Sequence, residues 1–168
     1  MLVEDEMTAQ LRPTLRWMWA KRGKQPQIPT GDEHEKRTVF GASNPLTGRT
    51  HHHVGEGLTK EEFLSLLKQL DRFYPPQKEL VLILDNASAH KANKVEEYLR
   101  KVDRITLVFL PPYCPDLNPI EKLWKEVRKK VTHNFPFPNM DEMIGAVRDA
   151  FRYFASARRR VVSLLGVA

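Results

Sequence analysis

The chain has 168 residues, of which 41% are hydrophobic and 29% charged, with 27 Lys and Arg against 21 Asp and Glu. That balance gives one ordinary globular domain able to bury a core without staples, and it excludes a disordered chain. The formal charge of +6 favours a polyanionic partner, and no apolar run is long enough for a membrane span. A single cysteine, Cys114, rules out an internal disulfide and any multi-cysteine zinc site, and the default compartment is cytoplasmic.

The opening Leu2-Val3-Glu4-Asp5 reads as the end of a strand whose beginning is missing. Residues 8 to 30 read as irregular and basic, with Trp17 and Trp19 expected to pack against the sheet rather than stack on a base. A hairpin follows, with arms at about Arg37 to Ala42 and Thr50 to Val54 around Asn44-Pro45-Leu46-Thr47-Gly48. Its second arm carries His51-His52-His53, expected on an exposed face. Thr59 starts a helix with Glu62 as a capping-box partner, and Phe63, Leu66, Leu67, Leu70 and Phe73 keep helical spacing up to Pro75-Pro76.

Leu80 to Leu84 is continuously apolar, as in a strand covered on both faces. A short helix with Val95, Tyr98, Leu99 and Val102 and a strand over about 105–110 complete a strand–helix–strand unit, which implies parallel pairing. Asn118 is placed as the cap of the next helix, whose buried stripe is Ile120, Leu123, Trp124, Val127 and Val131. Asn139 and Glu142 form a second capping box before Met140, Ile144, Val147, Phe151 and Phe154. The fold class is α/β: a mixed sheet, antiparallel hairpin first and parallel strands after, flanked by helices.

In open α/β sheets, sites form beyond the carboxyl ends of strands. Asp85 follows one strand directly and Asp5 ends another, so the two can meet, with Glu121 opening a nearby helix. Three convergent carboxylates suit hard Mg²⁺, with Mn²⁺ as a substitute, and a pair of such ions serves phosphoryl transfer. Each acid also has a plainer reading. Asp85-Asn86 is good turn chemistry, Glu121 stands where a capping-box acid belongs, and Asp5 reads equally as a frayed terminal acid. Alternation sends Glu6 to the opposite face from Asp5. His90 reads as a residue near the site or as a surface helix-start histidine. Lys122, Lys125, Arg128, Lys129, Lys130 and Arg158 to Arg160 read as a solvated face or as phosphate contacts. Cys114 reads as structural.

Leu82-Ile83-Leu84-Asp85-Asn86-Ala87-Ser88-Ala89-His90, followed by Pro111 through Trp124 with its Leu117-Asn118-Pro119-Ile120-Glu121-Lys122-Leu123-Trp124, carries a resemblance. The chain resembles bacterial insertion-sequence transposases of the mariner-like superfamily, the DDE-type endonucleases, over roughly residues 2 to 155. Asp5 followed by Glu6, and the Trp19 to Pro26 run, match the same family. The resemblance implies a ribonuclease H-like core with Asp5, Asp85 and Glu121 as metal ligands for two Mg²⁺ ions. Asn86, His90, Asn118, Lys122 and Lys125 are expected near the site or the DNA. It further implies cleavage at transposon ends, strand transfer into target DNA, a dimer at least on DNA, and a nucleoid-associated location. The 1–168 chain is expected to be a single catalytic domain without the family's helix-turn-helix modules. Two alternatives stand beside it: a ribonuclease H-like nuclease without strand transfer, and an inactive remnant that only binds DNA.

Overall fold

The computed structural model describes residues 1–29, 35–112 and 114–166. Thr30, at the end of the basic segment, Tyr113 of the proline-rich motif and the last two residues of the apolar tail lie outside the described residues. Five strands form one mixed sheet in the order β3-β2-β1-β4-β5. They are β1 (Leu2–Gln10), β2 (Lys36–Ser43), β3 (Thr50–Gly55), β4 (Leu80–Leu84) and β5 (Ile105–Phe109). The pairs β1/β2 and β2/β3 are antiparallel, while β1/β4 and β4/β5 are parallel.

Two helices, α1 (Lys60–Phe73) and α2 (Asn93–Val102), belong to one face. Leu2, Phe40, Ala42, Leu80, Leu82 and Leu84 meet Phe63, Leu66, Leu67, Leu70 and Val95 there. The other face carries α3 (Ile120–Val131), α4 (Met140–Ser156) and α5 (Arg158–Leu165). Val3, Met7, Ala9 and Val39 pack there against Trp124, Val127, Val147, Phe151 and Phe154. Odd residues of β1 serve one core and even residues the other, as strand alternation requires.

Several expectations are corrected. β1 does not stop at Asp5: it runs on to Gln10, paired with β2 from Val3↔Ser43 to Gln10↔Lys36. Asp5 is therefore mid-strand and not frayed. β4 is not covered equally on both sides, since Leu80, Leu82 and Leu84 are buried while Val81 and Ile83 are half-buried. Thr59 does cap α1 by accepting from Glu62 N, but the Glu62 carboxylate turns to Glu56 N and His53 instead of closing the box. The Asn139–Glu142 box closes through both side chains.

The triple histidine is not an exposed face. His51 is buried, 3.0 Å from the Tyr74 hydroxyl, and His52 stacks on Phe151 at 4.4 Å. His53 reaches Glu62 at 2.6 Å. Burial holds the His51 and His52 rings near pKa 4 rather than 6.5, helped by Arg49 beside His51 and Arg148 beside His52. Conversely, Trp17 and Trp19 do not pack on the sheet; both are fully exposed.

Candidate metal centre

Register sets the two aspartates. Leu2 pairs with Leu82 and Val3 with Ile83, so Asp5 lies level with Asp85, the first residue beyond β4. β1 continues along β2 where β4 has ended, which opens a notch beside Asp5. Asp5, Asp85, Asn86, Asn118, Cys114 and Glu121 line the resulting cleft, of about 540 Å³.

Each aspartate is held by one oxygen. The Trp124 indole N–H donates to Asp5 Oδ2 at 3.0 Å. Trp124 is fully buried and reaches this position over Gly41, which pairs with Asp5 across β1/β2. A Cβ on Gly41 would lie 2.5 Å from the indole ring, so only glycine leaves room for it. Asp85 Oδ1 accepts from Ala87 N at 2.9 Å and lies 3.3 Å from His90 Nδ1. Among the described residues Asp85 Oδ2 receives no donor, and the side chain is about half exposed. That oxygen is free for a cation.

Glu121 arrives through Asn118. The buried Asn118 amide donates to the Glu4 carbonyl at 2.7 Å, fastening the start of α3 to β1. Asn118 does cap the helix through its Oδ1, which accepts from Ile120 N at 3.4 Å, while Pro119 at the boundary is already helical. Glu121, one step later, lines the cleft, its carboxylate 3.9 Å from Arg128 Nη1. It therefore does not act as a capping-box acid. Asn86 donates to the Leu110 carbonyl and accepts from Lys91 at 2.7 Å, tying the exits of β4 and β5 together. Cys114 lines the cleft as well.

The tightest grouping differs from the expected one. Asp5, Glu6 and Asp85 bring one ligand atom each within 4.8 Å of the others, and Glu121 is not part of that group. Glu6 does lie on the opposite face of β1, as alternation requires. With β4 ended, its carboxylate still comes close to Asp85. His90 is no surface residue: it is buried, its Nε2 2.8 Å from Glu6 Oε1. The β1 pattern Glu4-x-Glu6 placed two acids on one face, but nothing local in the sequence indicated His90 as their partner. Lys122 and Lys125 are exposed outside the cleft, and Lys122 Nζ stands beside Gly166 at the end of α5. Lys130 covers the Tyr153 ring, and Arg160 pairs with Glu126 at 2.6 Å.

Electrostatics mark the site as cation-seeking. Asp5 is pushed up to about 7, chiefly by burial and then by Glu121, Glu6 and Asp85, against a lowering backbone hydrogen bond from Glu6. Burial, then Glu6, Asp5 and Asp85, push Glu4 well above the usual carboxylate range. An all-oxygen set with one open aspartate oxygen fits a hard divalent ion, which relieves the repulsion.

A mixed five-stranded sheet with carboxylates at the notch between its central strands defines a ribonuclease H-like domain. The chain belongs to the DDE superfamily endonuclease family, whose pattern it matches over residues 1–144. It is 30% identical over 145 residues to the insertion element IS630 uncharacterized 39 kDa protein of Shigella sonnei, covering 86% of this chain and 42% of that protein. With the transposable element Tc3 transposase of Caenorhabditis elegans it shares 26% over 143 residues, 82% of this chain and 43% of that one. Thus the chain spans less than half the length of both relatives. Its fold is similar to the mariner Mos1 paired-end complex with Mg, at TM-score 0.68 and 14% identity, over 98% of this chain and 52% of that one. No helix among the described residues is long and apolar enough to cross a membrane.

Proposed function

We propose that this chain is the catalytic domain of a DDE transposase, cutting DNA at the ends of a mobile element and joining the freed 3′-hydroxyl to target DNA. The supporting observation is the convergence of Asp5 and Asp85 on one notch, each fixed by a protein donor, with Glu121 on the cleft wall. Asp5, Asp85 and Glu121 are the ligand set, for two Mg²⁺ or Mn²⁺ ions. Glu121, on the same cleft wall beside Arg128, would complete the set. Such ions, when bound, activate the attacking oxygen and stabilise the leaving one. The chain's own residues orient and neutralise. Trp124 and His90 hold the aspartates in place, and Asn118 sets the start of α3. The exposed Lys125 and Lys129 supply positive charge along α3 for the phosphate backbone.

Transposition joins two ends, so the working species is read as two copies on DNA, located on the nucleoid. The Mos1 paired-end complex with Mg, similar in fold, supports the two-ended assembly.

The test is a cleavage and joining assay on end-containing DNA with Mg²⁺ or Mn²⁺. Joined products that vanish in Asp85→Asn and Glu121→Gln support the reading. Cut but unjoined DNA would favour a hydrolytic nuclease. DNA binding with no metal-dependent cleavage, unchanged in Asp85→Asn, would favour an inactive remnant.

A further inference from the structure

Across β1 from the cleft, Glu4, Glu6 and His90 bring two carboxylates and an imidazole together, one ligand atom of each within 4.8 Å of the others. His90 Nε2 lies 2.8 Å from Glu6 Oε1 and 3.9 Å from Glu4 Oε2. Its other nitrogen faces Asp85 Oδ1 at 3.3 Å. Glu4 is 0% exposed, and neither of its carboxyl oxygens has a hydrogen-bond partner.

That last fact demands an occupant. An ionised buried carboxylate with no donor is costly, and a neutral one leaves its own O–H unmet. A proton on Nε2 satisfies Glu6 but leaves Glu4 unmet at 3.9 Å. A divalent cation among the three satisfies all of them. With Nδ1–H given to Asp85, the Nε2 lone pair points at the acids. Ligating histidines are normally arranged so, donating the other N–H to a carboxylate.

We infer that Glu4, Glu6 and His90 form a second metal site, distinct from the cleft, for a borderline divalent ion of the zinc or cobalt class. Imidazole among the ligands favours that class over magnesium. The ion clamps β1 to the turn at Ser88–Lys91, which carries His90. Through His90 it steadies Asp85 from behind. Glu4 and His90 take no part as ligands in the cleft, so this site goes beyond the proposed function and stands without it.

The experiment uses the full chain carrying Asp5→Asn and Glu121→Gln, which disables the cleft. It is stripped with chelator and titrated with Co²⁺. Visible cobalt absorption saturating at one equivalent, with a rise in melting temperature, is expected. Adding Glu4→Gln or His90→Asn weakens binding by about 10- to 100-fold. Absence of cobalt absorption overturns the inference, because a proton then suffices. So does binding that is lost with the two cleft substitutions alone, or that ignores Glu4→Gln. Should His90→Asn fail to fold, pulsed EPR of the Co²⁺-loaded cleft-disabled chain decides. Imidazole nitrogen coupling is expected, and its absence refutes the site. No arm depends on DNA cleavage, so failure of the transposase reading leaves these outcomes intact.

Discussion

On one face of β1, Asp5 stands at the rim of an open cleft, fixed by an indole N–H and level with a half-exposed Asp85. On the other face, one residue away in each direction, Glu4 is sealed in the protein and Glu6 is held against a buried histidine. The two faces carry the same functional group at successive positions. They differ in what covers them. Toward α3, the end of β4 leaves a notch open to solvent. Toward α1, the turn at Ser88–Lys91 folds over the strand and closes it. Carboxylate alternation thus yields two environments, one open to solvent and one closed to it.

The contrast breaks most sharply at Gly41. Gly41→Ala drives a methyl into the Trp124 ring, and a loss of about 3 kcal/mol in urea unfolding is expected from overpacking. A neutral result would mean that Trp124 can swing aside and that Asp5 is not held by it.

Acid should weaken the fold through the buried histidines of the hairpin. His51 and His52 bind protons less readily folded, near pKa 4, than unfolded, near 6.5. Between those values the unfolded chain carries more protons, so stability rises with pH. Their contribution is full above pH 6.5 and is lost as pH falls toward 4. It amounts to about 2 kcal/mol per ring after allowance for solvent. Melting temperatures across that window should drop in the natural chain and drop less in His52→Phe.

Trp124→Phe keeps the aromatic packing and removes the donor to Asp5. Cation affinity at the cleft, read by titration calorimetry, should fall by about tenfold. Unchanged affinity would show that Asp5 is oriented by the backbone alone. The smallest effect is expected at the exposed tryptophans. Trp17→Ala with Trp19→Ala should move stability by no more than about 0.5 kcal/mol, since neither ring touches the core. A larger loss in chemical unfolding would place them in a packed surface.

Much of this comparison was legible in the sequence where the signal was local. The hairpin, the capped starts of α1 and α4, and the stripe of α3 follow from turn residues, caps and helical spacing. Asp85 at the end of an apolar run and Glu121 after Asn118-Pro119 were also visible. What escaped depends on partners distant along the chain. Met7 to Gln10 have weak strand preference, and pairing with β2 overrides it. The histidines looked polar because Phe73, Tyr74 and Phe151, which bury them, lie on α1, at its end and on α4. His90 and Glu6 are 84 positions apart, so no window of sequence shows their contact. Trp17 and Trp19 misled in the other direction: large rings were expected inside, and residue type alone does not say otherwise.

The amide of Asn118 grips the carbonyl of Glu4 across 114 positions. β1 pairs with the β2–β3 hairpin, its neighbour along the chain. It acquires β4 only later, and Glu121 later still. Contacts of such long sequence separation form slowly, after the local ones. A meander bearing a lone aspartate therefore forms before Asp85 and Glu121 reach it. The cleft between them is thus among the last parts of the fold to close.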